Sequence, residues 1–229
     1  YCSNPEFLRE GSAVRDFLRP DRVVLGTSSN RAFEVMKDVY RPLYINETPI
    51  LYTTIESAEM IKYASNSFLA LKISYINEIA NLCEAVNADV HTVARAMGID
   101  GRISPKFLHA GPGFGGSCFP KDIKALASLA KQKKTPMRTL EGAIKANELQ
   151  KQRMIDKLKF LLGGNFQGKH IAILGLTFKP ETDDIRESPA IQMAEAILNG
   201  GGKVSAYDPE GGPNFSKLFP DITYEKSWE

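Results

Sequence analysis

Apolar and polar positions change their rhythm three times along the chain. Residues 21–27, DRVVLGT, are β-branched and apolar with a glycine exit, the pattern of a short buried strand, and residues 30–40 carry the apolar spacing of a short amphipathic helix. Pro42 and Pro49 punctuate the next stretch, which predicts a second short strand at 50–53. From 57 to 86 no proline or glycine interrupts the sequence, which predicts one helix of about 30 residues, about 45 Å long. Ser57 reads as its N-cap, with Glu59 in the first turn. Apolar residues lie almost all round this helix, so it is expected to be buried on more than one side.

Residues 89–97 predict a second helix ended by Gly98, residues 122–132 a third after a glycine-rich stretch, and residues 138–162 a fourth that stops at Gly163 and Gly164. The rhythm then shortens. Residues 169–176 read as a buried strand, 188–199 as a helix opened by Pro189, and 203–208 as a second strand, together one βαβ unit of a parallel sheet. The expected fold class is mixed α and α/β: a short α/β piece at 1–54, a helical domain built on a long helix at 55–163, and a partial Rossmann-like α/β domain at 164–229.

Composition narrows the class without naming a chemistry. Of 229 residues 43% are hydrophobic and 24% charged, enough for a core and too little charge for a disordered chain. Lys and Arg number 29 against 27 Asp and Glu, a net charge of +2 that leaves no footprint for nucleic acid. The apolar runs are strand-sized, far short of the ~20 residues of a membrane span. The three cysteines, Cys2, Cys83 and Cys118, are widely spaced without a C-x-x-C pair, which argues against a disulfide framework or a zinc site and for a reducing, cytoplasmic compartment. The sequence starts at Tyr1 without a methionine and breaks off as a new element begins, so it is expected to be a fragment of a longer protein.

Cys118 is the sharpest chemical signal. The loop GPGFGGSCFPKD has four glycines between Gly111 and Gly116, which lets backbone come close to a ligand, and Pro120 suits the first turn of a helix. Cys118 then lies at a helix N-terminus, where backbone N–H groups and the helix dipole favour a thiolate, with Lys121 and Asp122 beside it. On the long helix, Lys62 and Asn66 open a seam that continues through Leu69, Ile73, Ile76, Ala80 and Cys83, so two polar groups face whatever that seam packs on. Glu6 and Glu10 lie four apart in NPEFLREG, where spacing alone favours solvated surface. The stretch TFKPETDDIRESP follows the first strand of the βαβ unit, and Lys179, Arg186 and the helix opening at Ser188 suit an anion there. It is not a G-x-G-x-x-G fingerprint. His91 reads as helix surface and His170 as strand edge, and a thiol acyltransferase or hydrolase built on Cys118 with His109 as base is the competing thiol chemistry.

NPEFLREGSA, EMIKYASNSFLALKISYINEIANLCE, GPGFGGSCFPKD, GLTFKPETDDIRESP and YDP, in this order, resemble the nucleotide-sugar dehydrogenases of the UDP-glucose/GDP-mannose dehydrogenase family, and NPEFLREG followed by Ser12 and Ala13 is closer to its UDP-glucose branch. The resemblance implies an N-terminal NAD-binding Rossmann domain, of which residues 1–54 would be a remnant, a central helix at a homodimer interface, and a C-terminal domain that holds UDP. It also implies oxidation of UDP-glucose at C6 to UDP-glucuronate with NAD as cofactor. The N-terminal domain that carries the family's G-x-G-x-x-G turn is almost entirely absent, so the fragment is expected to be inactive alone.

The roles it implies fall on matching positions. Cys118 matches the nucleophile that forms a thiohemiacetal and then a thioester. Lys62 and Asn66 match the pair that stabilises charge on the C6 oxygen, Asp122 the carboxylate that orders water, and Glu6 the acid–base group of thioester hydrolysis. For substrate, Phe7, Leu8, Arg9 and Glu10 extend the Glu6 segment; His109, Gly111, Phe114 and Gly115 match the sugar loop; Phe178 and Lys179 match the UDP side. Arg102 resembles an arginine that reaches into the partner subunit's site. Glu10, Lys121 and Arg186 match positions that touch NAD. Alternatives within the same resemblance are a GDP-mannose or UDP-N-acetylhexosamine dehydrogenase, and outside it a non-catalytic nucleotide-sugar-binding dimerisation module.

Overall fold

The computed structural model describes residues 1–228, and of residues 44–46 the backbone alone. The chain divides into two compact units, Tyr1–Asn66 and Ser67–Glu229.

In the first unit β1 (Val23–Gly26) and β2 (Ile50–Thr53) pair in parallel, with α2 (Asn30–Val39) and a 3-10 turn (Arg41–Asn46) between them and α1 (Ala13–Leu18) ahead of them. β1 is buried along its whole length, as its run of Val and Leu requires. Val23, Leu25 and Leu43 form the core, with Phe33, Met36, Tyr40 and Ile50 packed against it. Ser3 exchanges both backbone hydrogen bonds with Gly26 at 2.8 Å, and the Asn4 amide donates to the Val24 carbonyl at 2.9 Å. These contacts fix the NPEFLREG segment at the end of β1.

The long helix α3 runs Ile55–Ala85. Its cap is Thr54, whose Oγ1 accepts from the Ser57 N–H at 3.2 Å, so Ser57 lies in the first turn and is not the cap the sequence suggests. As expected, α3 is buried on more than one side: Ser67, Ala70 and Ile76, which point in different directions round its axis, are all buried. Apolar residues do not all follow: Phe68, Tyr75 and Leu82, seven residues apart, stand exposed in a stripe.

In the second unit α4 (Val90–Ile99), α5 (Cys118–Gln132) and α6 (Arg138–Leu161) form the helical part. Asp89 caps α4, accepting from His91 and Thr92 N–H. Gly98 does not end this helix: it lies inside it, buried, where a Cβ would come within 2.8 Å of Pro105. Helix α5 starts four residues before the expected position because Pro120, with no N–H to lose, fits its first turn.

Beyond α6, β3 (His170–Leu174), α7 (Pro189–Asn199) and β4 (Lys203–Tyr207) make the expected parallel βαβ unit. The Ser188 hydroxyl caps α7 by accepting from Ala190 N–H. Helix α8 (Gly212–Phe215) and a third parallel strand, β5 (Thr223–Tyr224), give the sheet order β3-β4-β5. The strand expected to be buried at 169–176 is an edge strand: Ile171 and Ile173 pack on the core while Leu174 is 65% exposed. Phe166, Leu176, Ile197, Val204 and Phe215 centre this core, and Ile155 of α6 belongs to it. That shared packing puts the helical part and the βαβ part in one unit.

Among the described residues no helix is long and apolar enough to cross a membrane.

Candidate active site

In the first unit the structure brings Glu6, Phe7 and Lys62 together. The Lys62 Nζ donates to the Glu6 carbonyl at 2.7 Å and to Glu6 Oε1 at 2.9 Å, and it lies 5.5 Å from the centre of the Phe7 ring. The Arg22 guanidinium covers that ring at 3.6 Å. Glu6 Oε2 accepts from the Leu8 N–H at 2.7 Å, so its carboxylate is held by both backbone and ammonium. Glu6 is exposed, as spacing alone favoured, but its carboxylate is tethered at the surface. Asn66, one turn beyond Lys62, is buried.

Arg9 faces another partner. Its backbone N–H and guanidinium donate to Asp16 at 2.6–2.9 Å, tying the segment to α1, and this bond holds the Asp16 carboxyl well below the usual range. Leu8 is exposed, and Glu10 is half-buried in the turn before Gly11.

In the second unit Cys118 is the first residue of α5, half-buried, with its Sγ 3.6 Å from the Ser117 hydroxyl. Asp122 follows one helical turn later, on the same face, and is 2% exposed. Its Oδ1 accepts from the exposed Lys121 ammonium at 2.6 Å. Cys118 and Asp122 thus put a thiol and a buried carboxylate one turn apart on one helix, beside the Lys121 cation.

The glycine loop leads into this helix, and its glycines approach the protein itself. A Cβ on Gly115 would run into the backbone carbonyl of Glu187, and one on Gly116, whose φ is +82°, would lie 2.7 Å from the Phe178 ring. The expectation that these glycines admit a ligand is thus replaced by close packing at these two positions; Gly111, by contrast, is open. Gly116 N–H donates to the Arg186 carbonyl at 2.7 Å. The loop, Phe178 and Arg186, far apart in sequence, meet here.

Other expected residues stand at the margin. The Lys179 ammonium lies 5.5 Å over Phe178, and Arg186 is a fork-to-fork partner of Asp184 at 2.8–3.0 Å. His109 is exposed ahead of the loop. Arg102 is exposed and pairs with Asp100 at 2.6 Å.

Sequence reasoning missed the residues that hold this frame. Asn77, Asn147 and Gln150 bond the loop backbone; Lys151, 3% exposed, lies 3.3 Å from Glu148 and 3.6 Å from Glu187. Burial acts against ionised Glu187, but Lys124 and Lys151 outweigh it and hold its carboxyl below the usual range. Asp208, past the end of β4, accepts from four backbone N–H groups, of Leu176, Thr177, Glu210 and Gly211. The available signal was polar residues at 147, 150 and 151, on one face of a helix that must also pack.

Three models of one family match in sequence order: the NAD binding domain at residues 1–44, the central domain at 56–149 and the UDP binding domain at 172–229. The chain belongs to the UDP-glucose/GDP-mannose dehydrogenase family. It is 56% identical over 222 residues to a UDP-glucose 6-dehydrogenase of Rhizobium meliloti (strain 1021), covering 96% of this chain and 51% of that protein. The UDP-glucose 6-dehydrogenase TuaD of Bacillus subtilis (strain 168) is 48% identical, over 94% of this chain and 46% of its own length. Among solved structures, a UDP-glucose dehydrogenase from Pyrobaculum islandicum superposes with a TM-score of 0.95 at 40% identity, over 99% of this chain and 52% of that one. The chain thus spans about half the length of the relatives it matches.

NAD is the cofactor that the family's first domain is named for. Lys121 and Arg186 are exposed cations beside the thiol loop, whereas residues 1–44, which match that domain, hold only Gly11 and Gly26 and no glycine-rich turn of the kind that takes a pyrophosphate.

Proposed function

We propose that this chain is the thiol-bearing and UDP-sugar-binding half of an NAD-dependent UDP-glucose 6-dehydrogenase, which oxidises C6 of UDP-glucose twice to give UDP-glucuronate. The observation that carries the reading is Cys118 at the first position of α5 with Asp122 buried one turn below it.

Two NAD⁺ per turnover would each, when bound, accept one hydride. Lys62 and Asn66 donate to the C6 oxygen, where a fixed donor pair offsets developing negative charge. Cys118 adds to the C6 aldehyde as a thiolate, which keeps the intermediate covalently attached as a thiohemiacetal and then as a thioester. Asp122 orients the water that cleaves the thioester, and Glu6, held by Lys62, moves the proton. Glu6 through Glu10, the loop from His109 to Gly115, and Phe178 with Lys179 hold the nucleotide sugar, with Glu10, Lys121 and Arg186 toward NAD.

A homodimer through α3 completes the proposal. Its support is the exposed stripe of Phe68, Tyr75 and Leu82, apolar area that a second copy would remove from water. Arg102, exposed, would then reach the partner's substrate. The three free thiols support a reducing, cytoplasmic setting.

The test is a calorimetric and thermal-shift titration of the chain with UDP-glucose, GDP-mannose and UDP, since bound ligand raises stability as RT ln(1 + [L]/Kd). Selective stabilisation by UDP-glucose is expected, and preference for GDP-mannose would overturn the assignment. In the complete enzyme, Cys118→Ser should stop turnover at the second half-reaction; normal steady-state turnover by that variant would remove Cys118 from the mechanism.

A further inference from the structure

The loop that delivers Cys118 has no helix or strand of its own, yet the backbone N–H and C=O of two of its residues, Gly111 and Phe114, are taken up by side-chain amides. The Gly111 N–H donates to Asn77 Oδ1 of α3 at 2.8 Å, and the Gly111 carbonyl accepts from Gln150 Nε2 of α6 at 2.8 Å. Three residues on, the Phe114 N–H donates to Asn147 Oδ1 at 2.8 Å and the Phe114 carbonyl accepts from Asn147 Nδ2 at 3.0 Å. Asn147 thus treats Phe114 as a neighbouring strand would. Gln150 is itself oriented by Asn81, whose amide donates to its Oε1 at 2.9 Å.

All three clamping amides are at most 5% exposed. Burying three amides is costly unless each is bonded, and apolar residues would fill the same space at no such cost. Packing alone does not require them. Asn147 and Gln150 lie three residues apart, on one face of α6, about 4.5 Å along the axis. Because both α3 and α6 are rigid, the loop entry is pinned from two sides, and Gly116 bonded to Arg186 pins its exit. Only Ser117 separates that exit from Cys118.

We propose that Asn147, with Gln150 and Asn77, is a positioning clamp for the Cys118 thiol, holding the glycine loop so that Cys118 stays in the first turn of α5. The proposal rests on Cys118 being the reactive nucleophile. The clamp acts through the loop and touches neither thiol nor substrate. Loosening it frays the first turn of α5, so that Cys118 is no longer held in that turn.

The experiment follows alkylation of the 229-residue chain by iodoacetamide against pH, with peptide mass spectrometry separating Cys118 from Cys2 and Cys83. Cys83 is buried in the same unit and reports general loosening. Asn147→Ala is expected to change the pH profile of Cys118 alkylation, with a rate at pH 7 that differs at least threefold from the parent, and to leave Cys83 unchanged. Gln150→Met, which keeps the volume and drops the hydrogen bonds, is expected to do the same more weakly and serves if Asn147→Ala does not fold. A Cys118 pH profile that superposes on that of the parent in a folded variant would overturn the proposal, as would Cys118 and Cys83 changing in parallel.

Hydrogen exchange of the unaltered chain gives a check without variants. The Gly111 and Phe114 amides should be as protected as those inside α6, and exchange at the rate of an open loop would remove the clamp. No nucleotide sugar enters these measurements, so failure of UDP-glucose to bind would sink the assigned substrate and leave the clamp result standing.

Discussion

The Lys62 ammonium reaches back 56 residues to Glu6 and holds both its carboxylate, at 2.9 Å, and its carbonyl, at 2.7 Å. Glu6 is half-exposed and Lys62 is 18% exposed, so the ion pair alone contributes about 0–1 kcal/mol to stability. Lys62→Met should therefore shift urea unfolding of the chain little, while in the complete dehydrogenase it lowers kcat by about 100-fold or more. A rise in KM with kcat unchanged would reduce Lys62 to ground-state binding.

Asp208 ties together the turns that follow β3 and β4. Burial disfavours its charge, but four backbone N–H donors outweigh that and hold its carboxyl below the usual range. A carboxyl with a lowered folded value adds stability that is present above about pH 4 and lost as pH falls through that folded value. Asp208→Asn should cost about 1–3 kcal/mol at pH 7 in urea unfolding, and the gap should narrow in acid. An equal gap at pH 7 and pH 3 would contradict this.

Gly115 and Gly116 allow the loop to lie on Glu187 and Phe178. Gly115→Ala forces a Cβ into backbone that cannot swing away and is expected to cost about 1–3 kcal/mol. Calorimetry of the variant should show a melting temperature lower by several degrees; a neutral result would mean that the loop can lift.

Lys151 and Glu187 make an asymmetric pair, one buried and one half-exposed. Lys151→Met removes a buried charge, keeps its volume, and should leave stability within about 1 kcal/mol. Glu187→Leu strands Lys151 with Glu148 alone and should be the more damaging change in chemical denaturation. The reverse order would show that the ammonium, not its desolvation, governs this contact.

Phe68 and Leu82 stand exposed on α3. Changing both to Glu should convert a dimer to a monomer in sedimentation without lowering monomer stability, because neither side chain is buried within its own chain. A parent chain that already sediments as a monomer would remove the proposed interface.

Local rules made most elements legible. The Val and Leu run of β1, the Ser188 cap before Pro189, and the unbroken stretch of α3 each carry their structure in neighbouring residues, so periodicity and capping chemistry suffice. Cys118 was legible for the same reason, since Pro120 announces a helix start whatever the rest of the chain does. Where a glycine serves packing, the local rule failed: Gly98 looks like a helix stop, but it lies inside α4, where a Cβ would meet Pro105.

The sequence by itself determined the order of helices and strands, the thiol at a helix start, and the motifs that mark the family. Only tertiary structure decided that the glycines of the thiol loop face Glu187 and Phe178, that α3 leaves an apolar stripe open, and that three amides from two helices hold a loop with no structure of its own. The reason is separation along the chain. Asn77 and Gly111 are 34 residues apart, and Asn147 and Phe114 are 33 apart, so no local pattern relates them until α3, α6 and the loop have packed.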